Sequence, residues 1–212
     1  RNVSLAELTG ARLHLAHIST VGSVRMVREA KSRGLKVTAE ACPHHFTLTE
    51  EVVRGFNTFA KMNPPLRTWN DVQAIKAGLR DGTIDVIATD HAPHATQEKQ
   101  QGFTEAPFGI VGLETALPLT LALVEEGILS LEAAIEKLSS APAKAFSLPK
   151  GTLAVGADAD VAIIDPNVQW EVDPSKFRSK SRNTPFTGWK VKGAVLTTIV
   201  GGRVVFEAPV VA

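Results

Sequence analysis

An α/β fold of parallel strands joined by helices, followed by a small β segment, is what this 212-residue chain predicts. Three observations carry that expectation. Strand-like and helix-like stretches alternate from Ala11 to Ser140. The apolar run Asp85-Val86-Ile87-Ala88 ends abruptly in Thr89-Asp90-His91. Beyond Pro149-Lys150-Gly151 the chain turns to valine-rich runs without helical spacing. The second observation has the most chemical content, because parallel α/β architectures build active sites at the carboxyl ends of their strands.

The elements follow in order. Arg12 to Ile18 alternates as a strand does, and Ser19 or Thr20 is placed to cap a helix after it. Val24, Val27 and Ala30 give that helix an apolar stripe, and Gly34 is placed to end it. Leu35 to Ala41 is the next strand. The right-handed βαβ rule makes the two strands parallel and brings His17 to the same carboxyl edge as His44 and His45. A short helix is expected from Glu50 to Arg54, closed by Gly55, and then an extended stretch from Thr58 to Met62. It leads into Asn63-Pro64-Pro65-Leu66-Arg67, where two prolines stop any helix.

Asp71 to Arg80 regains helical spacing through Val72, Ile75 and Leu79, and Gly82 precedes the strand that delivers Asp90. His91 to Pro107 reads as a long polar loop, of a length that usually signals function or disorder. Leu113 to Glu126 and Leu131 to Ser140 read as helices, the first weakened or kinked by Pro118. Asp160 to Asp165, Gly193 to Val200 and Arg203 to Phe206 read as strands, with a hairpin turn at Gly201-Gly202. The expected division is residues 1–149 and residues 150–212.

Composition narrows the function classes. A formal charge of +1, no basic run and few aromatics argue against a nucleic-acid footprint or a membrane-surface patch, leaving small-molecule chemistry. No stretch approaches the roughly 18 apolar residues of a membrane span, and the start has no signal-sequence pattern. Cys42 is the only cysteine, which excludes an intrachain disulfide and suits a reducing compartment; the cytoplasm is the expectation. The chain opens at Arg1 on what reads as the middle of an α/β fold, so a fragment or processed product is expected.

His17 and Asp90 stand at the ends of two expected parallel strands and can converge as zinc ligands, although two ligands alone do not complete a catalytic site. His14 reads as a packed or hydrogen-bonded histidine. His44 and His45 read equally as ligands or as a loop-stabilising pair. Asn63, before two prolines, either presents its amide to a polar ligand or is ordinary turn chemistry. Phe108-Gly109 either allows close backbone approach to a ligand or is a turn into the next helix. Lys61, Arg67 and Lys99 either meet an anionic substrate or, as isolated basic residues usually are, stay solvated at the surface.

Taken together, His14-Leu15-Ala16-His17-Ile18-Ser19-Thr20, Asn63-Pro64-Pro65-Leu66-Arg67, Ala88-Thr89-Asp90-His91-Ala92-Pro93-His94 and Gly112-Leu113-Glu114-Thr115-Ala116-Leu117-Pro118 resemble bacterial class I dihydroorotase. Ser179-Lys180-Ser181-Arg182-Asn183-Thr184-Pro185 does so too, and the matching order covers essentially the whole chain. The resemblance implies an amidohydrolase-superfamily, metal-dependent (β/α)8 barrel, of which this chain holds about strands 6 to 8, followed by a small β-sandwich segment.

Within it, His17 matches the strand 6 ligand of the second zinc. Asp90 matches the strand 8 aspartate that ligates the first zinc and serves as catalytic acid/base. Asn63, His94 and the Phe108-Gly109 backbone match substrate-binding positions, whereas His44 and His45 match no family ligand. The other family ligands are expected upstream of Arg1, so one or two Zn2+ ions belong to the intact enzyme, and this chain alone is expected to be inactive. The implied reaction interconverts N-carbamoyl-L-aspartate and L-dihydroorotate in pyrimidine synthesis. Expected partners are the N-terminal half, a homo-oligomer or aspartate carbamoyltransferase. The alternatives are a hydantoinase, dihydropyrimidinase or allantoinase, or a non-catalytic subunit that scaffolds the carbamoyltransferase.

Overall fold

The computed structural model describes residues 1–208, so the last four residues of the expected β segment lie outside the described residues. Helix α1 (Asn2–Thr9) leads to strand β1 (Leu13–Leu15), helix α2 (Val21–Ser32), strand β2 (Val37–Ala41) and the short helix α3 (Pro43–Thr47). Helix α4 (Trp69–Arg80) precedes strand β3 (Val86–Ile87). The three strands form a parallel sheet in the order β1-β2-β3, with Leu13 beside Val37 and Ala41 beside Ile87.

These strands are shorter than the alternation predicts. Pairing extends only where neighbours overlap, so Arg12, Ala16 and Leu35 carry strand-like sequence without a ladder. Glu50–Val53 and Thr58–Ala60 are single 3-10 turns, where a short helix and an extended stretch are expected. Helix α1 and helix α5 (Thr96–Lys99), inside the expected loop, are not foreseen from periodicity.

Thr20 caps α2 by accepting the amide of Ser23, and Val24, Val27 and Ala30 turn inward as the spacing predicts. A full capping box of Thr68 and Asp71 starts α4, whose Val72, Ile75 and Leu79 are buried. These residues join Val37, Ala39, Ala41 and Ile87 in the main core between sheet and helices.

Helix α6 (Leu113–Glu125) continues through Pro118, helix α7 (Leu131–Leu138) falls within the expected Leu131 to Ser140 stretch, and helix α8 (Ser140–Ala145), beyond it, is not foreseen. Strands β4 (Val161–Glu171), β5 (Lys190–Val200) and β6 (Arg203–Glu207) form an antiparallel sheet, with the β5–β6 turn at Gly201-Gly202 as expected. A second core, including Ile110, Val111, Leu119, Val172 and Phe186, joins α6 to this sheet. Among the described residues no helix is long and apolar enough to cross a membrane.

Candidate functional site

The carboxyl ends of β1, β2 and β3 bring His17, Glu40, Cys42 and Asp90 together. His17 Nδ1–H donates to Glu40 Oε1 at 2.7 Å, and His14 Nε2–H donates to Glu40 Oε2 at 2.9 Å. Thr38 Oγ1 completes the His14 contacts at 2.8 Å from Nδ1, so His14 is the hydrogen-bonded histidine that its position suggests. Glu40, 7% exposed, thus holds two imidazoles from the neighbouring strand.

This arrangement sets the His17 tautomer. With its proton on Nδ1, the Nε2 lone pair faces Asp90 Oδ1 at 3.6 Å. Two lone pairs facing each other call for a cation or a proton between them, and a carboxylate behind the other ring nitrogen is the usual support of a metal-bound histidine. His17 and Asp90 therefore fit a zinc ion, for which both residue types are ordinary ligands. Both have positive φ, 52° and 49°, a strained conformation for non-glycine residues.

A second group lies alongside. Cys42, His44 and His45 are buried, with their potential ligand atoms all within 4.8 Å of one another, a partial metal-binding cluster consistent with zinc. Cys42 Sγ is 3.5 Å from His17 Nδ1. Burial, then the nearby charges of Asp90 and Glu40, push the thiol up from its ordinary value. Burial lowers His44 well below the ordinary histidine range and His45 to about 4.

Of the expected substrate positions, two lie together. His94 Nε2–H donates to the Phe108 carbonyl at 2.8 Å, so His94 and Phe108-Gly109 come together. Gly109 has φ +114°, and an added Cβ would lie 2.4 Å from Ala92 Cβ, which makes glycine a steric requirement. Asn63 is exposed beside Pro64-Pro65, and among the described residues its side chain makes no hydrogen bond to His94 or Gly109.

Neither Lys61 nor Lys99 is a solvated or substrate-facing lysine, because both are buried and use their ammonium groups on backbone carbonyls. Lys61 Nζ donates to Phe103, Thr104 and Ala106, while Lys99 Nζ donates to Pro107 at 2.8 Å and Gly109 at 3.2 Å. Arg67 is half-buried, with Nε 3.5 Å from Ser19 Oγ. Asn183, 2% exposed, donates to the carbonyls of Ala92 and Gly109 and accepts the His94 amide.

Glu40 thus braces His14 and His17, while Lys61, Lys99 and Asn183 brace the backbone around His94 and Gly109, roles that the sequence does not assign them. A carboxylate inside an apolar strand was the available signal for Glu40, and the tail motif containing Asn183 was the other.

Residues 5–205 match the family model described as "Amidohydrolase family", and the chain belongs to that family. It is 62% identical over 207 residues to the dihydroorotase of Syntrophotalea carbinolica, covering 98% of this chain and 49% of that protein. It is 59% identical over 208 residues to the dihydroorotase of Geobacter sp. strain M21, with the same coverage of 98% and 49%. Among solved structures, the L-hydantoinase (dihydropyrimidinase) of Arthrobacter aurescens superposes with a TM-score of 0.90 at 36% identity, covering 97% of this chain and 47% of that one. The chain spans about half the length of the curated relatives it matches.

Proposed function

We propose that this chain supplies the carboxyl-terminal half of a zinc-dependent dihydroorotase, interconverting N-carbamoyl-L-aspartate and L-dihydroorotate in pyrimidine synthesis. In this reading residues 1–149 contribute about strands 6 to 8 of an amidohydrolase barrel, and residues 150–212 a small β-sandwich segment. The observation that carries the chemistry is the His17–Asp90 pair, held face to face with Glu40 behind His17. The choice of cyclic amide rests on relatives: 62% identity to a dihydroorotase against 36% to a hydantoinase.

His17 and Asp90 would hold zinc, with further ligands from an upstream segment. When bound, the metal supplies Lewis acidity and acidifies water. Asp90 takes a proton from the attacking water and delivers it to the ring nitrogen as the amide C–N bond breaks; the reverse transfers close the ring. Asn63, His94 and the Phe108-Gly109 backbone orient the substrate's polar groups. A reducing cytoplasm suits the lone cysteine. An oligomer, or a complex with aspartate carbamoyltransferase, is compatible with the reading.

The test combines this chain with an upstream half taken from the Syntrophotalea carbinolica relative and measures zinc-dependent turnover of dihydroorotate, hydantoin and allantoin. Dihydroorotate should be strongly preferred, with no turnover by this chain alone. A preference for hydantoin or allantoin overturns the substrate, and absence of turnover with zinc bound favours a non-catalytic subunit.

A further inference from the structure

Cys42, His44 and His45 have no role in the hydrolytic reading. We propose that they form a separate binding site for a thiophilic divalent cation, Zn2+ or its softer congener Cd2+, held by one thiolate and two imidazoles.

The local sequence builds the cluster. Cys42 is the N-cap of α3, Pro43 occupies its first turn, and His44 and His45 follow at once, so three potential ligands leave one tight piece of backbone. All three are 3% exposed or less. Their ligand atoms lie within 4.8 Å of one another, whereas tetrahedral zinc needs roughly 3.3 to 3.7 Å between nitrogen and sulfur ligands. Binding would draw the three side chains together by about an ångström.

The unpartnered atoms point the same way. His44 Nε2 and His45 Nδ1 are buried without a hydrogen-bond partner, a rare condition for imidazole nitrogens that merely pack. His45 Nε2–H donates to the Pro64 carbonyl at 2.9 Å, which leaves the Nδ1 lone pair inside. That is how metal-binding histidines are oriented through their other nitrogen. The two ring centroids are 4.2 Å apart, so a proton on each would be repelled, and neutral rings are what a metal requires.

The carboxylates of Glu40 and Asp90 supply negative potential nearby. A cation entering here displaces the Cys42 proton to solvent as the metal–sulfur bond forms. Sulfur with two imidazole nitrogens selects zinc-type cations over Mg2+ or Ca2+, which take oxygen.

The proposal is independent of the hydrolytic reading, and Co2+ is a probe that separates the two sites. The purified chain should bind cobalt with a thiolate-to-cobalt charge-transfer band, and Zn2+ should displace it. Asp90→Asn should retain the band. Cys42→Ser should abolish it, and His45→Ala should weaken binding beyond the roughly 10- to 100-fold typical of losing a supporting contact. Circular dichroism checks that the variants fold, and the unsubstituted chain's band needs no variant at all. Failure to bind cobalt, binding without the thiolate band, or loss of the band in Asp90→Asn would each overturn the proposal. The last outcome would assign the sulfur to the His17–Asp90 site instead and leave the dihydroorotase reading standing.

Discussion

His17 and Asp90 each turn at positive φ just beyond a strand, and that turn brings their side chains face to face at the sheet edge. Such conformations cost on the order of 1 to 3 kcal/mol each and persist only where the surroundings enforce them. In the reconstituted enzyme, Asp90→Asn keeps the volume but removes the proton acceptor, so turnover should fall by at least about 100-fold. Normal turnover with normal zinc content would give Asp90 another role. Glu40→Gln tests the support behind the pair. The two imidazoles face different carboxylate oxygens and glutamine replaces one of these by an NH2 donor, so His17 or His14 loses its fixed tautomer, and zinc affinity should drop about 10- to 100-fold. Titration with a chelator reads that change, and unaltered affinity would reduce Glu40 to a packing residue. The pair itself was legible, because polar ligand types at the ends of apolar strands stand out. Glu40 was not, since its partners His14 and His17 come from another strand and only the sheet register brings them to it.

At the scale of elements, the stretch from His91 to Pro107 reads as a long polar loop in sequence and is instead pinned at its far end. Lys61 and Lys99 spend their ammonium groups on four of its carbonyls, Phe103, Thr104, Ala106 and Pro107, and on that of Gly109 just beyond it. Isolated lysines are ordinarily solvated, and no one-dimensional pattern marks these two as buried, because carbonyl partners carry no residue signature. Burial lowers Lys99 from the ordinary lysine value of 10.5 to about 8. The sign of the linkage follows. Between about pH 8 and 10.5 the unfolded chain holds a proton that the folded chain has shed, so the folded state gains stability as pH rises through that window. Below it the cost of burying the ammonium is present in full. Lys99→Met lacks this dependence, so urea titrations at pH 7.5 and pH 10 should show the unsubstituted chain gaining on the variant at the higher pH. An equal difference at both values would mean that Lys99 keeps its ordinary affinity for the proton.

Across the whole molecule, the parallel order of β1, β2 and β3 was legible from the βαβ pattern, and the hairpin of β5 and β6 from Gly201-Gly202. How the antiparallel sheet meets the rest was not, because it depends on single close approaches. Gly193 is one: at φ +101°, an added Cβ would lie 2.2 Å from Leu121 Cδ1 on α6. Asn183 is the other, reaching from the segment before β5 to the loop that carries His94 and Gly109. Its amide donates to the carbonyls of Ala92 and Gly109, its oxygen accepts the His94 amide at 3.2 Å, and its own carbonyl accepts the Val111 amide. Asn183→Ala removes the three side-chain bonds at a buried position. Each orphaned buried group costs about 1 to 3 kcal/mol where no water replaces the partner. Lys99 still holds the Gly109 carbonyl, so the loss should concentrate at Ala92 and His94. Hydrogen exchange should therefore accelerate at the His94 amide while the amides of β2 stay protected. A uniform acceleration across both would show that Asn183 serves global stability, whereas no change at His94 would detach the tail from the site.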